Sequence, residues 1–105
     1  MEILNSNYEQ YTGTVIYALV GSDGKRYIGK ALNFVQRMKQ HGYELKRVAN
    51  GKESYHEGFK LCQAVKDGIK FKAEILEKVP FLKNTHNYLC EREQYYYELY
   101  GGANN

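Results

Sequence analysis

The chain has 105 residues and a formal charge of +3, which leaves room for one domain with a modest core and not for two. Hydrophobic residues at 43% and charged residues at 26% exclude a disordered composition, and no apolar run approaches the length of a membrane span. The small positive charge leans towards a polyanionic partner without demanding one, and Cys62 and Cys90 lack the C-x-x-C spacing of a zinc ribbon or redox motif, so both are expected as reduced thiols in the cytosol.

Residues 1–12 are polar and irregular, expected as a loose arm ahead of a single domain over residues 13–105, and Met1 to Asn5 lacks the basic and apolar regions of a signal peptide. Gly13 to Val20 is a β-branched and apolar run, and Arg26 to Lys30 is its partner across Ser22-Asp23-Gly24, which predicts a hairpin. A two-residue Asp23-Gly24 turn would set Tyr17 opposite Lys30 and send Tyr17 and Tyr27 to opposite faces. A three-residue turn with Gly24 left-handed sets Tyr17 opposite Gly29 and Tyr27 opposite Leu19, so both phenols share a face. Strands favour tyrosine in any case, so the pair has an ordinary structural reading as well.

From the N-cap Asn33, the residues Phe34, Val35, Met38, Leu45 and Val48 recur at helical spacing until Asn50-Gly51, with Gly42 weakening the middle. Arg37 and His41 stand at i and i+4 on one face of this helix, either as a solvated surface or as an anion-binding fork beside a proton carrier. Ser54 to Asp67 predicts a second helix with Phe59, Leu61, Cys62 and Val65 as its apolar side, His56 near its start and Gly68 as its stop. Phe71, Ala73 and Ile75 alternate with Lys72 and Glu74 as a strand with one wet face, ended by Pro80.

The last helix is predicted over about Thr85 to Tyr100, with Leu89, Glu93, Tyr96 and Tyr100 on one stripe. Glu93 is thereby turned inward, and a carboxylate taken from water requires a cation opposite it, either an ion-pair partner or a metal. The order ββααβα predicts a small mixed sheet with helices packed against it.

Val15-Ile16-Tyr17 and Tyr27-Ile28-Gly29, then Arg37 with His41 in the first helix and Glu91-Arg92-Glu93 in the last, together resemble the GIY-YIG nuclease family over about residues 13–102, with a likeness to its phage homing-endonuclease members. Val15 stands where the family's first word carries glycine. The resemblance implies an α+β fold, a three-stranded antiparallel sheet flanked by helices, and a metal-dependent DNA endonuclease that hydrolyses a phosphodiester by in-line attack of water. It further implies Tyr17 as general base with Tyr27 beside it, Arg37 on the scissile phosphate, His41 bonded to Tyr17 or moving its proton, and Glu93 as ligand of Mg²⁺ or Mn²⁺. His56 resembles a second histidine of some phage members. The implied partner is double-stranded DNA, with an additional DNA-binding domain or a second subunit as further candidates. A non-cleaving nucleic-acid-binding module on the same fold, its tyrosines stacking on bases, is the alternative, and it has no use for an inward carboxylate.

Overall fold

The computed structural model describes residues 2–3, 11–54 and 57–101. Its elements in chain order are β1 (Glu2–Ile3), β2 (Val15–Gly21), β3 (Arg26–Ala31), α1 (Phe34–Ala49), α2 (Phe59–Lys66), β4 (Phe71–Lys78), a short 3₁₀ turn (Phe81–Lys83) and α3 (His86–Leu99). β2 lies at the centre of a three-stranded antiparallel sheet, between β4 and β3, and β1 adds a two-residue parallel pairing on the far side of β4. β3 is therefore an edge strand.

The hairpin takes the three-residue form. Gly21 N–H reaches Lys25 C=O at 2.9 Å, Gly24 N–H returns to Gly21 C=O at 2.9 Å, and Gly24 holds φ +85°, a left-handed conformation that glycine adopts without strain. The register that follows sets Tyr17 against Gly29 and Leu19 against Tyr27. Directly opposed residues share a face, so Tyr17 and Tyr27 stand on the same side of the sheet.

That side carries Val15, Tyr17 and Leu19 of β2 with Ala73 of β4, packed against Phe34, Met38 and Leu45 of α1 and Leu61 of α2. The opposite side carries Ile16, with Val79 just after β4, Leu89 of α3 and, partly buried, Ile28, Leu76 and Tyr96. The molecule is thus helix on sheet on helix, and β2 is buried from both directions. α1 begins where Asn33 Oδ1 accepts from Gln36 N–H at 3.0 Å, and it runs unbroken through Gly42. No helix among the described residues is long and apolar enough to cross a membrane.

Two sequence expectations need correction. Glu2–Ile3, expected within a loose arm over residues 1–12, forms strand β1 and pairs with β4. α2 starts at Phe59 rather than Ser54, and its buried side is Leu61 and Ala64, at i and i+3, while Phe59 is 83% exposed. Phe59 stands two positions before Leu61, about 200° round the helix, so it cannot share the face that Leu61 and Ala64 turn to the core. β4 alternates through Ile75 as the sequence predicts. There the register slips, Ile16 pairing with Glu77 and Tyr17 with Ile75, and the extra residue Leu76 turns Glu77 towards α3.

On the α3 side Glu77 accepts two hydrogen bonds from Arg92, at 2.9 and 2.7 Å, one from Tyr96 at 3.0 Å and one from Tyr88 at 3.2 Å. Burial alone would raise this carboxyl, and the bonds from Arg92, Tyr96 and Tyr88 bring it below its ordinary value. α3 is held to the sheet by this cluster as well as by Leu89, and its first turn is capped by Thr85, whose hydroxyl accepts from Tyr88 N–H at 3.2 Å.

Candidate active site

A cavity of about 700 Å³ opens at the outer edge of β3. Its walls come from both sides of the sheet. Tyr17, Tyr27, Arg37 and His41 reach it from the α1 side, whereas Lys30 and Glu93 reach it from the α3 side, and they meet over Gly29 because no side chain stands there to divide them. A Cβ on Gly29 would come within 2.6 Å of the Tyr17 ring, so the open backbone is what lets the phenol lie across the strand.

His41 belongs to the buried stripe of α1, in step with Phe34, Met38, Leu45 and Val48, and not to a solvated face. Its ring meets Tyr17 edge-on with centroids 5.6 Å apart, and its Nε2 lies 2.7 Å from the Tyr17 hydroxyl. Its Nδ1 lies 2.9 Å from each carboxylate oxygen of Glu57. Arg37, one turn earlier on α1, lies with one guanidinium nitrogen 3.6 Å from Glu57 Oε1 and donates from it to Gln40 at 2.7 Å. Burial pushes the Tyr17 phenol up to about 12, against the pull of the Arg37 guanidinium; Glu57 and Glu93 add to the rise. Tyr27 is also raised, by burial and by Asp23, and packs edge-on against Phe71 at 5.6 Å.

Glu93 faces the cavity, but not as a lone carboxylate among apolar neighbours. Lys30 Nζ stands 3.1 Å from its Oε1, with the two side chains 34% and 30% exposed. The cation required opposite Glu93 is therefore a lysine of the edge strand. Among the described residues no three His, Cys, Asp or Glu gather as a metal cage. His56 lies outside the described residues.

Tyr17, Tyr27, Arg37, His41 and Glu93 thus line one cavity although they come from four elements. Sequence reasoning missed Lys30 and Glu57. Lys30 follows Tyr27-Ile28-Gly29 directly, but strand parity places it on the other face, and only its position on an edge strand lets it reach round. Glu57 stands sixteen positions after His41 in a segment without periodicity, and no local pattern marks it.

The arrangement offers a phenol bonded to an imidazole, a guanidinium beside them and a carboxylate across the gap, a set that can move a proton at one end and hold an anion at the other. A sequence model of the GIY-YIG catalytic domain matches residues 13–104, and the chain belongs to that family. It therefore carries a nuclease domain, with DNA as the implied substrate. Neither a curated protein nor a solved structure matches the chain at significance.

Proposed function

We propose that the chain is a divalent-metal-dependent endonuclease that hydrolyses one phosphodiester of double-stranded DNA by in-line attack of water. The observation that carries this reading is the 2.7 Å contact between the Tyr17 hydroxyl and His41 Nε2 on the floor of a cavity whose opposite wall is Glu93.

Glu93 fits Mg²⁺ or Mn²⁺ in the manner of ions held by one carboxylate, waters and substrate phosphate, since its carboxylate opens on the cavity, and such an ion would take it in exchange for Lys30 Nζ, now 3.1 Å from its Oε1. When bound, such an ion supplies charge stabilisation to the leaving 3′ oxygen. Arg37 binds the scissile phosphate and offsets the charge that develops on its oxygens. Tyr17 takes a proton from the attacking water as the water oxygen bonds to phosphorus, and the phenol's own proton passes to His41. The bond from phosphorus to the 3′ oxygen breaks, and that oxygen takes its proton from solvent. Tyr27 stands beside Tyr17 and borders the substrate path. His56 is assigned to the same site by family resemblance alone.

Plasmid nicking tests the reading. The wild-type chain with Mg²⁺ is expected to convert supercoiled DNA to nicked circle, and chelator or Glu93→Ala to abolish this while circular dichroism and DNA binding stay intact. Undiminished nicking by purified Glu93→Ala would sink the metal role. DNA binding without any cleavage by the wild-type chain would leave a non-cleaving binding module in its place.

A further inference from the structure

The proposed chemistry leaves Glu57 without a task, although its carboxylate is 2% exposed and faces the His41 ring, which is 4% exposed. A carboxylate withdrawn from water to this degree requires a donor, and both of its oxygens find one atom, His41 Nδ1, at 2.9 Å. An ionised carboxylate can only accept, so Nδ1 carries the hydrogen. In the neutral imidazole Nε2 is then bare, and its lone pair points at the Tyr17 hydroxyl 2.7 Å away. The direction of the whole chain of bonds follows from that one carboxylate: phenol donates to Nε2, and Nδ1 donates to Glu57.

We propose that Glu57 is a positioning residue that holds His41 in its Nδ1–H tautomer, so that Tyr17, His41 and Glu57 form a one-way proton relay at the nuclease centre. The inference rests on the nuclease reading of the same cavity. The O–H bond of Tyr17 breaks, its proton bonds to Nε2, and the resulting imidazolium is stabilised by the carboxylate already bonded to Nδ1; the phenolate accepts the proton of the attacking water, and the imidazolium returns its proton to solvent after the phosphodiester is cut. Burial makes this help necessary, because a phenol pushed up to about 12 does not ionise by itself near neutral pH. Among the described residues the charged and titratable groups that line the cavity with Tyr17 are Arg37 and His41 of α1, Glu57 ahead of α2 and Lys60 within it, Arg26, Tyr27 and Lys30 of β3, and Glu93 and Tyr97 of α3. Arg37 also bonds to the phenol and lies 3.6 Å from Glu57, but a guanidinium only donates, whereas His41 offers the phenol a nitrogen that can take its proton and is backed by the same buried anion.

Nitrogen-15 NMR of the His41 ring in the wild-type chain at pH 8 reads the tautomer without reference to activity. Nδ1 protonated and Nε2 bare is the expected result, and an Nε2–H ring overturns the proposal. Glu57→Gln is expected to lower nicking by about 100-fold at pH 7.5 with DNA affinity unchanged. Its deficit should shrink by about tenfold per pH unit from 8 to 10, as the phenol ionises without the relay, while the wild-type rate stays flat. A deficit independent of pH marks Glu57 as merely structural and overturns the relay, as does undiminished nicking. Should the wild-type chain not nick at all, the nuclease reading fails, and the ring tautomer still decides whether Glu57 orients His41. The same measurement decides if Glu57→Gln does not fold.

Discussion

Tyr17 is fixed from three directions, edge-on against Phe34 at 6.3 Å, edge-on against His41 at 5.6 Å, and seated over Gly29. Gly29→Ala is expected to force that ring out of its place, because the added methyl meets a buried aromatic and not the free end of a flexible chain. A loss of about 1–3 kcal/mol in denaturant unfolding is expected, together with a larger loss of nicking than of stability. Retention of full activity would show that the phenol does not need its present position. Tyr17 also couples stability to alkaline pH. The phenol ionises near 10 in the unfolded chain and near 12 in the fold, so the native state holds this proton more tightly. Its contribution is therefore complete below pH 10 and disappears as pH rises to 12, a loss of about 3 kcal/mol that Tyr17→Phe should remove from the unfolding profile.

Each element places one part of the site, and α3 does so through a polar cluster as much as through its core. Leu89 anchors the helix, while the bulge in β4 turns Glu77 to meet Arg92, Tyr96 and Tyr88. Glu93 follows Arg92 directly, so the same clamp sets the carboxylate at the cavity wall. Glu77 is held below the ordinary 4.5 of a carboxyl, hence the native state favours its charged form. The stability it provides is present above that value and is lost as pH falls through the lower, folded value. Glu77→Gln should flatten the acid side of the melting-temperature profile and, by loosening α3, reduce nicking without touching Tyr17 or Tyr27. An acid limb identical to wild type would count against the cluster. Thr85→Ala, which removes only the cap, should cost about 1 kcal/mol.

At the scale of the molecule there is one Tyr17, one Arg37 and one Glu93 round one cavity, whereas duplex DNA presents two strands of opposite polarity. Under the proposed chemistry one such centre is expected to nick one strand. A charge of only +3 allows few phosphate contacts, so binding should be weak and should fall further as salt rises. Nicked circle is expected first at low salt, and linear product only later or when a partner domain or second subunit brings another centre. Linear DNA formed ahead of nicked circle by a demonstrated monomer would refute this.

Local pattern was enough for the order of β2, β3, α1, α2, β4 and α3, the cap at Asn33 and the shared face of Tyr17 and Tyr27, because hydrogen-bonded turns and the strand's period of two act over a few residues. The Ser22-Asp23-Gly24 turn determined the face, and the face determined which side of the sheet the phenols occupy. Tertiary structure alone decided the rest of the site. The bulge at Leu76 and the late start of α2 are outcomes of competition between packing surfaces that no single window of sequence contains. Lys30 and Glu93 join the tyrosines only because β3 is an edge strand with a bare Gly29 at its midpoint, so side chains from opposite faces meet round it. Glu57 enters because a buried imidazole with one nitrogen on a phenol has a second nitrogen to satisfy, and the partner that satisfies it is set by where the chain passes in space.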